Sequence, residues 1–469
     1  MKMSICSTIP TGDAEILGII KDAVFAARKT MKKNIKCYLV GGYVRDLLSG
    51  VKPKDIDCVC SYLDDFIRVL EDLLVSMDIK YDKATYATFG TMLMKFLGHD
   101  IEFVIPRKES YRNYGSRNPT VSAGTFEDDA YRRDFTVNAI YLSLNPENFC
   151  EPVDLTGKGL QDLHARMLDT PIDPGITFDA DPLRMLRAAR FVVKGFDPTK
   201  RVILASRKTA TRLSIIVPER IQEELKKGAA SPIYFNVLER LGLIDALFPE
   251  LTPLRGLKQA PKYHAFDAFT HTMKTIECLP ERMRFAGLYH DTGKFKTNVD
   301  GTFHGHEDIS LSLFKKRFNA LKFPRDFMYY NEHVIQHHDA ILQLSTDARS
   351  SDRAIRRFIV KHQGYVDDMF IFAKCDKRAH GVGVKEGIRL INEIEKRVKY
   401  ILETTSVAQK LAITGNDIIN ALSIDEGRKG NAMIGQIKRD VKQKVDDGDL
   451  PNDKEMILKY IIATHGKAC

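Results

Sequence analysis

Two aspartates, Asp55 and Asp57, are the residues of this chain best placed for chemistry. The apolar residues that follow them predict a β-strand, in which alternate side chains share one face about 7 Å apart. Two carboxylates on one face repel each other unless a cation lies between them, and hard oxygen ligands suit Mg²⁺. Because Asp-x-Asp also occurs in solvated turns, its meaning depends on the residues before it.

A short apolar run and two glycines precede the aspartates. Residues 38–40 predict a buried strand, and Gly41 and Gly42 then let the backbone approach a ligand without a Cβ in the way. The next residues, YVRDLL, have apolar side chains at helical spacing and end at Ser49. A glycine turn at a helix N-terminus suits the phosphates of a nucleotide.

The order of these elements resembles the nucleotidyltransferase signature of the DNA polymerase β superfamily. It is most similar to class II tRNA nucleotidyltransferases (CCA-adding enzymes) and bacterial poly(A) polymerases. The resemblance implies catalytic, metal-binding roles for Asp55 and Asp57, and nucleotide contacts at Gly41, Gly42 and Arg45. Glu102, on a later predicted strand, is a candidate third acid for the metal, and it fits a solvent-facing acid equally well.

Two further motifs of this family follow in order. The string RRDFTVNA resembles the ribose- and triphosphate-contacting motif, which implies that the nucleotide is contacted by Arg133, Asp134 and Asn138. The polar stretch 107–125 before it predicts a mobile loop beside the active site, which in the family helps the switch to adding A.

The second motif, DPLRMLR, resembles the family's base-reading segment. Asp181 and Arg184 are three residues apart, which predicts that they share a helix face and read the incoming base, with Arg187 also contacting the nucleotide. Ala180 stands where the family usually has glutamate, a departure from the pattern.

Positive charge is concentrated after this motif. Residues 185–228 contain eleven Lys and Arg against four Asp and Glu, whereas the whole chain has a net charge of +9. Such a surface suits a phosphate backbone, although a solvated helical face has the same composition. The candidate RNA contacts are Arg190, Arg220, Lys226 and Lys227.

Histidines cluster from residue 263 onward. Their spacing, with His-Asp-Thr-Gly-Lys after an apolar run, resembles the HD phosphohydrolase superfamily. The resemblance implies the metal ligands His271, His290, Asp291 and Asp376, and a second metal at His306 and His337. Imidazole and carboxylate together suit a divalent transition metal more than Mg²⁺ alone, and such a metal activates water against phosphoesters. Members of this superfamily that are fused to such a head include 2′,3′-cyclic phosphodiesterases and phosphatases. Because the ligand set is complete here, the resemblance implies an active enzyme of this kind.

The resemblance extends over nearly all 469 residues. It implies an α+β fold: a polymerase-β-like head with a mixed sheet (1–160), an all-α neck (161–252), an HD body (253–385) and a helical, tRNA-binding tail (386–469). No apolar run approaches the roughly 18 residues of a membrane span. Neither an export signal nor a paired cysteine motif is evident, so we expect reduced thiols and a cytoplasmic location.

The function that these motifs predict is template-free addition of CMP, CMP and AMP, from CTP and ATP, to the 3′ end of tRNA. Two Mg²⁺ ions on the head aspartates would hold the primer oxygen and the triphosphate. Poly(A) polymerase and a partial CC- or A-adding enzyme remain alternatives. A different class is an RNA-end phosphohydrolase whose head only grips RNA. The sequence leaves open whether the chain is a monomer or a homodimer.

Overall fold

The computed structural model describes residues 5–86, 90–110, 120–299, 302–346, 350–405, 407, 409–423 and 428–466. These residues form two compact units, Met1–Pro249 and Glu250–Cys469. The first unit holds the β-sheet and the second is built from helices, so the predicted α+β class is confirmed. Within the described part of the chain, helices of membrane-spanning length and hydropathy are absent.

The first unit is organised around a seven-stranded mixed sheet. The strands are β1 Cys37–Val40, β2 Ile56–Cys60, β3 Tyr81–Tyr86, β4 Thr91–Phe96, β5 His99–Val104, β8 Ile140–Ser143 and β9 Pro152–Asp154, with two-stranded pairs formed by β6 Arg107–Ser110 with β7 Thr120–Ala123 and by β10 Met167–Leu168 with β11 Asp197–Pro198. The sheet order is β3-β4-β5-β2-β1-β8-β9, and the β2–β5 pair is parallel. That pair brings the Asp57 strand next to the Glu102 strand.

The sheet is covered by helices with apolar faces. The helices of this unit are α1 Thr11–Met31, α2 Gly42–Leu48, α3 Leu63–Ser76, α4 Phe126–Tyr131, α5 Gly159–His164, α6 Pro174–Ala180, α7 Leu183–Val193, α8 Lys200–Thr209, α9 Pro218–Ala229, α10 Tyr234–Arg240 and α11 Ile244–Leu247. Phe66 of α3 packs against Phe103 of β5, with ring centroids 5.6 Å apart. Phe191 of α7 packs edge-on against Phe135, at 5.0 Å, and so ties the helical neck to the head.

The prediction of a loop over 107–125 is wrong at both ends of that stretch. β6 and β7 pair antiparallel, with Arg107 opposite Ala123, and the residues 111–119 between them lie outside the described part of the chain. The polar side chains gave no alternating apolar signal, but backbone hydrogen bonds between paired strands do not require one. Thr125 and Asp128 then cap α4 reciprocally.

The prediction that Asp181 and Arg184 share a helix face is also wrong. α6 ends at Ala180 and α7 begins at Leu183, so Asp181 lies between the helices with an extended backbone (φ −141°, ψ 98°). Pro182 explains the break, because the residue before a proline is driven away from helical backbone angles. The Asp181 carboxylate accepts a hydrogen bond from the Leu183 amide.

The second unit contains twelve helices among its described residues. They are α12 Ala268–Cys278, α13 Arg284–Tyr289, α14 Lys294–Thr297, α15 His306–Ala320, α16 Arg325–His337, α17 Ala340–Thr346, α18 Asp352–Lys361, α19 Val366–Ala379, α20 Val384–Thr404, α21 Gly415–Leu422, α22 Arg428–Asp447 and α23 Lys454–His465. One apolar core joins α18, α19 and α20, and another joins the last three helices. Arg353 and Arg357 of α18 pair with Asp447 of α22 and connect the two groups.

The expectation of reduced thiols is contradicted at four cysteines. Cys6 is joined to Cys150, and Cys278 to Cys375, with Cα atoms 5.6 and 5.3 Å apart. The partners are separated by 144 and 97 residues, so tertiary packing brings them together where sequence spacing carried no signal.

Candidate active sites

The acidic residues predicted for the head lie side by side on neighbouring strands. Asp55 directly precedes β2, Asp57 lies on it, and Glu102 is the register partner of Asp57 on β5. Burial, Glu102 and Asp55 raise the pKa of Asp57 to about 6, against the opposing effect of Arg133. Carboxylates that repel one another in this way form an oxygen donor set that fits a hard divalent cation.

The glycine turn contacts this acidic group. Gly41 has φ 69° and ψ −132°, a backbone conformation open essentially only to glycine. A Cβ on Gly41 would lie 3.5 Å from Arg133 Nη1 and 3.9 Å from Asp57 Oδ2. The turn, the predicted phosphate contact Arg133 and the predicted metal ligand Asp57 therefore meet at one place, although they are distant in sequence.

Arg133 is held in position by a buried carboxylate that sequence reasoning missed. Asp129 is fully buried and accepts hydrogen bonds from Arg133 Nε and Nη2, at 3.2 and 2.9 Å, and from the Tyr141 hydroxyl at 2.7 Å. Burial alone would raise the pKa of Asp129, but Arg133 and Arg132 lower it. The signal was present in the spacing, because Asp129 precedes these arginines by three and four residues on a helical turn.

A continuous chain of hydrogen bonds links three other predicted nucleotide contacts to Asn138. Arg45 Nη1 donates to Asn138 Oδ1 at 2.7 Å, and Asn138 Nδ2 donates to Asp134 Oδ1 at 2.8 Å. Arg187 Nε donates to Asp134 Oδ2, also at 2.8 Å. Despite burial, Arg187 and Asn138 lower the pKa of Asp134, so this carboxylate is ionised. Arg45 is buried, and its predicted nucleotide contact stays a prediction.

The two predicted base-reading residues have separate partners. Arg184 Nη2 donates to the backbone oxygen of Arg132 at 2.8 Å, and the Asp181 carboxylate lies 3.3 Å from Arg220 Nη2. Each residue is thus oriented by a neighbour rather than by the other.

The predicted RNA-binding residues differ in their exposure and in the ion pairs that they form within the protein. Arg190 Nη1 donates to both oxygens of the buried Glu224, at 3.1 and 2.9 Å, and so joins α7 to α9. Arg220 pairs with Asp181 and is exposed. Lys226 and Lys227 lie exposed in the last turn of α9, with Lys227 paired to Glu223. The RNA-binding role of these residues stays a prediction.

In the second unit, five segments bring six buried side chains together. Each residue is at most 5% exposed. They are His271 on α12, His290 and Asp291 after α13, His306 at the start of α15, His338 at the end of α16, and Asp376 on α19.

Asp291 lies at the centre of this group, with one oxygen toward each half. Its Oδ2 is 3.5 Å from His271 Nε2 and 3.3 Å from His290 Nε2. Its Oδ1 is 3.3 Å from His306 Nε2 and 3.8 Å from His338 Nε2. A carboxylate facing two imidazole pairs is suited to bridge two metal ions.

His338, and not the predicted His337, belongs to this group. Adjacent residues on a helix point about 100° apart, so only one of the pair faces Asp291. His337 instead lies with His333 and His362, a separate cluster.

The surroundings of the histidines leave one nitrogen of three rings available for a ligand. The Nδ1 atoms of His290, His306 and His338 lie 2.8, 2.9 and 2.8 Å from backbone carbonyls three residues earlier. Such contacts hold the Nδ1 proton and turn Nε2 toward a metal.

Imidazoles and a lysine lie beside the carboxylates of this six-residue group, which we call the HD cluster. Burial lowers the pKa of His290, but Asp291 and Asp376 outweigh it and raise the pKa to about 10. Lys294 Nζ lies 2.6 Å from Asp291 Oδ2. Buried imidazoles and carboxylates in this number fit a borderline divalent metal.

The chain combines an acidic head of the nucleotidyltransferase type with a histidine–aspartate cluster of the HD type, so it belongs to a class of proteins with two candidate active sites. Models of three protein families match the chain in the same order, from the head to the HD cluster. The poly A polymerase head domain matches residues 37–169, the probable RNA- and SrmB-binding site of polymerase A matches 195–255, and the HD domain matches 258–357.

Curated relatives identify the family. The chain is 32% identical over 316 residues to a multifunctional CCA protein of Thioalkalivibrio sulfidiphilus, covering 62% of this chain and 72% of the relative. It is 31% identical to that of Pasteurella multocida, with 66% and 74% covered. This chain belongs to the multifunctional CCA protein family, and the predicted family resemblance is confirmed.

Solved structures share the fold. A CCA-adding enzyme in its apo form II matches with a TM-score of 0.65 and 23% identity, with 96% of both chains covered. The Thermotoga maritima CCA-adding enzyme in complex with tRNA matches with a TM-score of 0.63 and 20% identity, covering 98% of this chain and 97% of that one.

Proposed function

We propose that this protein adds CMP, CMP and AMP, from CTP and ATP, to the 3′ end of tRNA. The observation that carries the proposal is the meeting of Asp57, Glu102, the Gly41 turn and Arg133 on the central strands of the sheet. It is supported by family membership and by the fold shared with CCA-adding enzymes.

Asp55 and Asp57, with Glu102, would hold Mg²⁺ in the head. Bound there, Mg²⁺ supplies charge neutralisation for the triphosphate and for the oxygens that exchange at the α-phosphate. Arg133, fixed by Asp129, places a guanidinium beside the same carboxylates for the phosphates. The Asp134 carboxylate, held by Asn138 and Arg187, is placed to accept from a ribose hydroxyl.

One assay separates full CCA addition from its alternatives. Purified protein is incubated with tRNA lacking its 3′ end and with CTP, ATP or both, and the products are sequenced. We expect two C residues with CTP alone and a completed CCA with both. Long A tails would indicate a poly(A) polymerase, a product that stops at CC a partial enzyme, and no addition would contradict the proposal.

We also propose that the HD cluster hydrolyses phosphoesters such as a 2′,3′-cyclic phosphate. The support is the central Asp291, which faces two imidazole pairs, and Asp376, whose Oδ1 lies 2.9 Å from His271 Nε2. His271, His290, Asp291 and Asp376 would hold one divalent transition metal, and Asp291, His306 and His338 a second. Bound there, the metal supplies an activated water. Hydrolysis of a cyclic phosphate with Mg²⁺, Mn²⁺, Ni²⁺ or Co²⁺ tests this.

The partners that follow are tRNA, CTP and ATP. Exposed Arg220, Lys226 and Lys227 are placed for the tRNA backbone, and the tail (386–469) is proposed to bind tRNA as well. A filter-binding series in rising salt would test this charge-based contact, because counterion release makes such affinity fall steeply with salt.

A further inference from the structure

A second histidine cluster lies outside the HD group. His333 and His337 are four residues apart on α16 and therefore share a face, and His362 caps the end of α18. The three ring centroids are 4.9 to 5.1 Å apart. One ligand atom from each ring lies within 4.8 Å of the others.

We propose that these three imidazoles bind a divalent transition metal ion of the zinc class, separate from the HD metals. His333 Nε2 and His362 Nδ1 are 3.0 Å apart. Two nitrogens bound tetrahedrally to zinc at about 2.0–2.1 Å are roughly 3.3 Å apart, so these two rings need to separate by only a few tenths of an ångström.

Two aromatic side chains pack against the His333 and His362 rings and hold them in place. His333 stacks on Tyr365, with centroids 3.9 Å apart and planes at 20°, and His362 packs on Phe358 at 4.6 Å. His362 is only 2% exposed, so bulk water is largely kept away from its ring. The nearby Lys361 opposes a cation, but its side chain is exposed and screened by solvent.

The donor set indicates the kind of ion. Three imidazoles without a carboxylate suit Zn²⁺, Co²⁺, Ni²⁺ or Cu²⁺ and do not suit Mg²⁺. Three protein ligands leave a tetrahedral ion one position for water. The ion would join α16 to α18, and the C-cap residue of α16 is His338 of the HD cluster.

The test is a zinc count on tag-free, full-length protein dialysed against buffered zinc. We expect His362→Gln to hold one zinc fewer per chain than the parent. His164→Gln, which changes an exposed histidine of the first unit, should hold as much zinc as the parent. Cyclic-phosphate hydrolysis, if present in the parent, should persist in His362→Gln because the HD ligands are untouched. Equal zinc content in the parent and His362→Gln would overturn the proposal.

A measurement on the parent alone covers the case in which the variant does not fold. Diethyl pyrocarbonate modifies free imidazoles, and peptide mass spectrometry locates the modified residue. We expect zinc to reduce modification of the half-buried His333 and His337 at least severalfold, while the exposed His164 is modified equally with and without zinc. Unchanged modification of both His333 and His337 would contradict the site.

Discussion

The acidic group of the head and the HD cluster are the two proposed metal sites of the chain, and they differ in burial and in donor type. In the head, Asp55 and Glu102 are exposed and Asp57 is half-buried; Asp57 and Glu102 lie on two adjacent strands, and Asp55 directly precedes the first of them. In the second unit, six candidate ligands from five segments are almost fully buried. A solvent-accessible group of carboxylates suits an ion that arrives with a nucleotide. A buried group of imidazoles and carboxylates suits an ion that stays bound to the protein.

The largest expected effect comes from removing the head carboxylates. Asp55→Ala and Asp57→Asn should each reduce nucleotide addition by roughly 10³-fold or more, because metal stabilisation of the transition state is worth several kcal/mol. Addition is measured on tRNA lacking its 3′ end, and tRNA binding should persist. Asp82→Asn, an exposed acid on β3, is the matched control. Near-parent activity in either variant would show that the metal assignment is wrong.

The complementary change removes the HD centre. His290→Ala combined with Asp291→Ala should abolish metal-dependent hydrolysis of a 2′,3′-cyclic phosphate and leave nucleotide addition within about twofold, since the donor sets share no residue. His304→Ala changes an exposed neighbouring histidine and should retain both activities. A parent that hydrolyses no cyclic phosphate with Mg²⁺, Mn²⁺, Ni²⁺ or Co²⁺ would exclude an active HD enzyme.

A smaller effect is expected on base choice. A carboxylate that accepts from an exocyclic amino group and a guanidinium that donates to a ring nitrogen fit both cytosine and adenine, whereas uracil and guanine present the opposite groups. Asp181→Ala with Arg184→Ala should lower CTP-over-UTP selectivity by about one to two decades, given roughly 1–3 kcal/mol per mismatch. Competition between labelled CTP and UTP measures it.

The structure supplies a control for this prediction. Arg220 contacts the Asp181 carboxylate, so Arg220→Ala alone should disturb selectivity less than the double variant does. A double variant that adds nucleotides slowly but still rejects UTP and GTP would show that other groups read the base.

The smallest effect is a difference in proton release between the two sites. Because the pKa of Asp57 is about 6, protons compete with Mg²⁺ for this carboxylate only below pH 6. Below that pH, the affinity of the head for Mg²⁺ should fall by roughly tenfold per pH unit. His290 has a pKa of about 10, so metal binding to the HD cluster should expel a proton at pH 7.5. Calorimetry in buffers of different ionisation enthalpy measures both, and equal proton release at the two sites would contradict the comparison.

The raised pKa of Asp57 also determines how the free energy of unfolding changes with pH when no metal is bound. The folded state holds the Asp57 proton up to about pH 6, whereas the unfolded state loses it near pH 4. The free energy of unfolding should therefore decline from pH 4 to 6. Asp57→Asn removes that part of the slope, which urea titrations at several pH values would show.

The sequence by itself determined the local parts of both sites. The Asp-x-Asp strand, the Gly-Gly turn and the His-Asp pair are short-range patterns, and the family's motif order indicated the α+β class and the arrangement of head and helices. Each of these features depends only on the types of a few neighbouring residues and on their local backbone conformation. The spacing of residues in the sequence is therefore enough to predict them.

Only the tertiary structure decided which side chains meet. It showed that Glu102 is beside Asp57, that Asp129 holds Arg133, and that His338 rather than His337 faces Asp291. Strand register and the rotation of a helix about its axis set these contacts, and both are fixed by packing between segments far apart in the chain. The His333–His337–His362 cluster arose in the same way, from two helices whose histidines carry no shared motif.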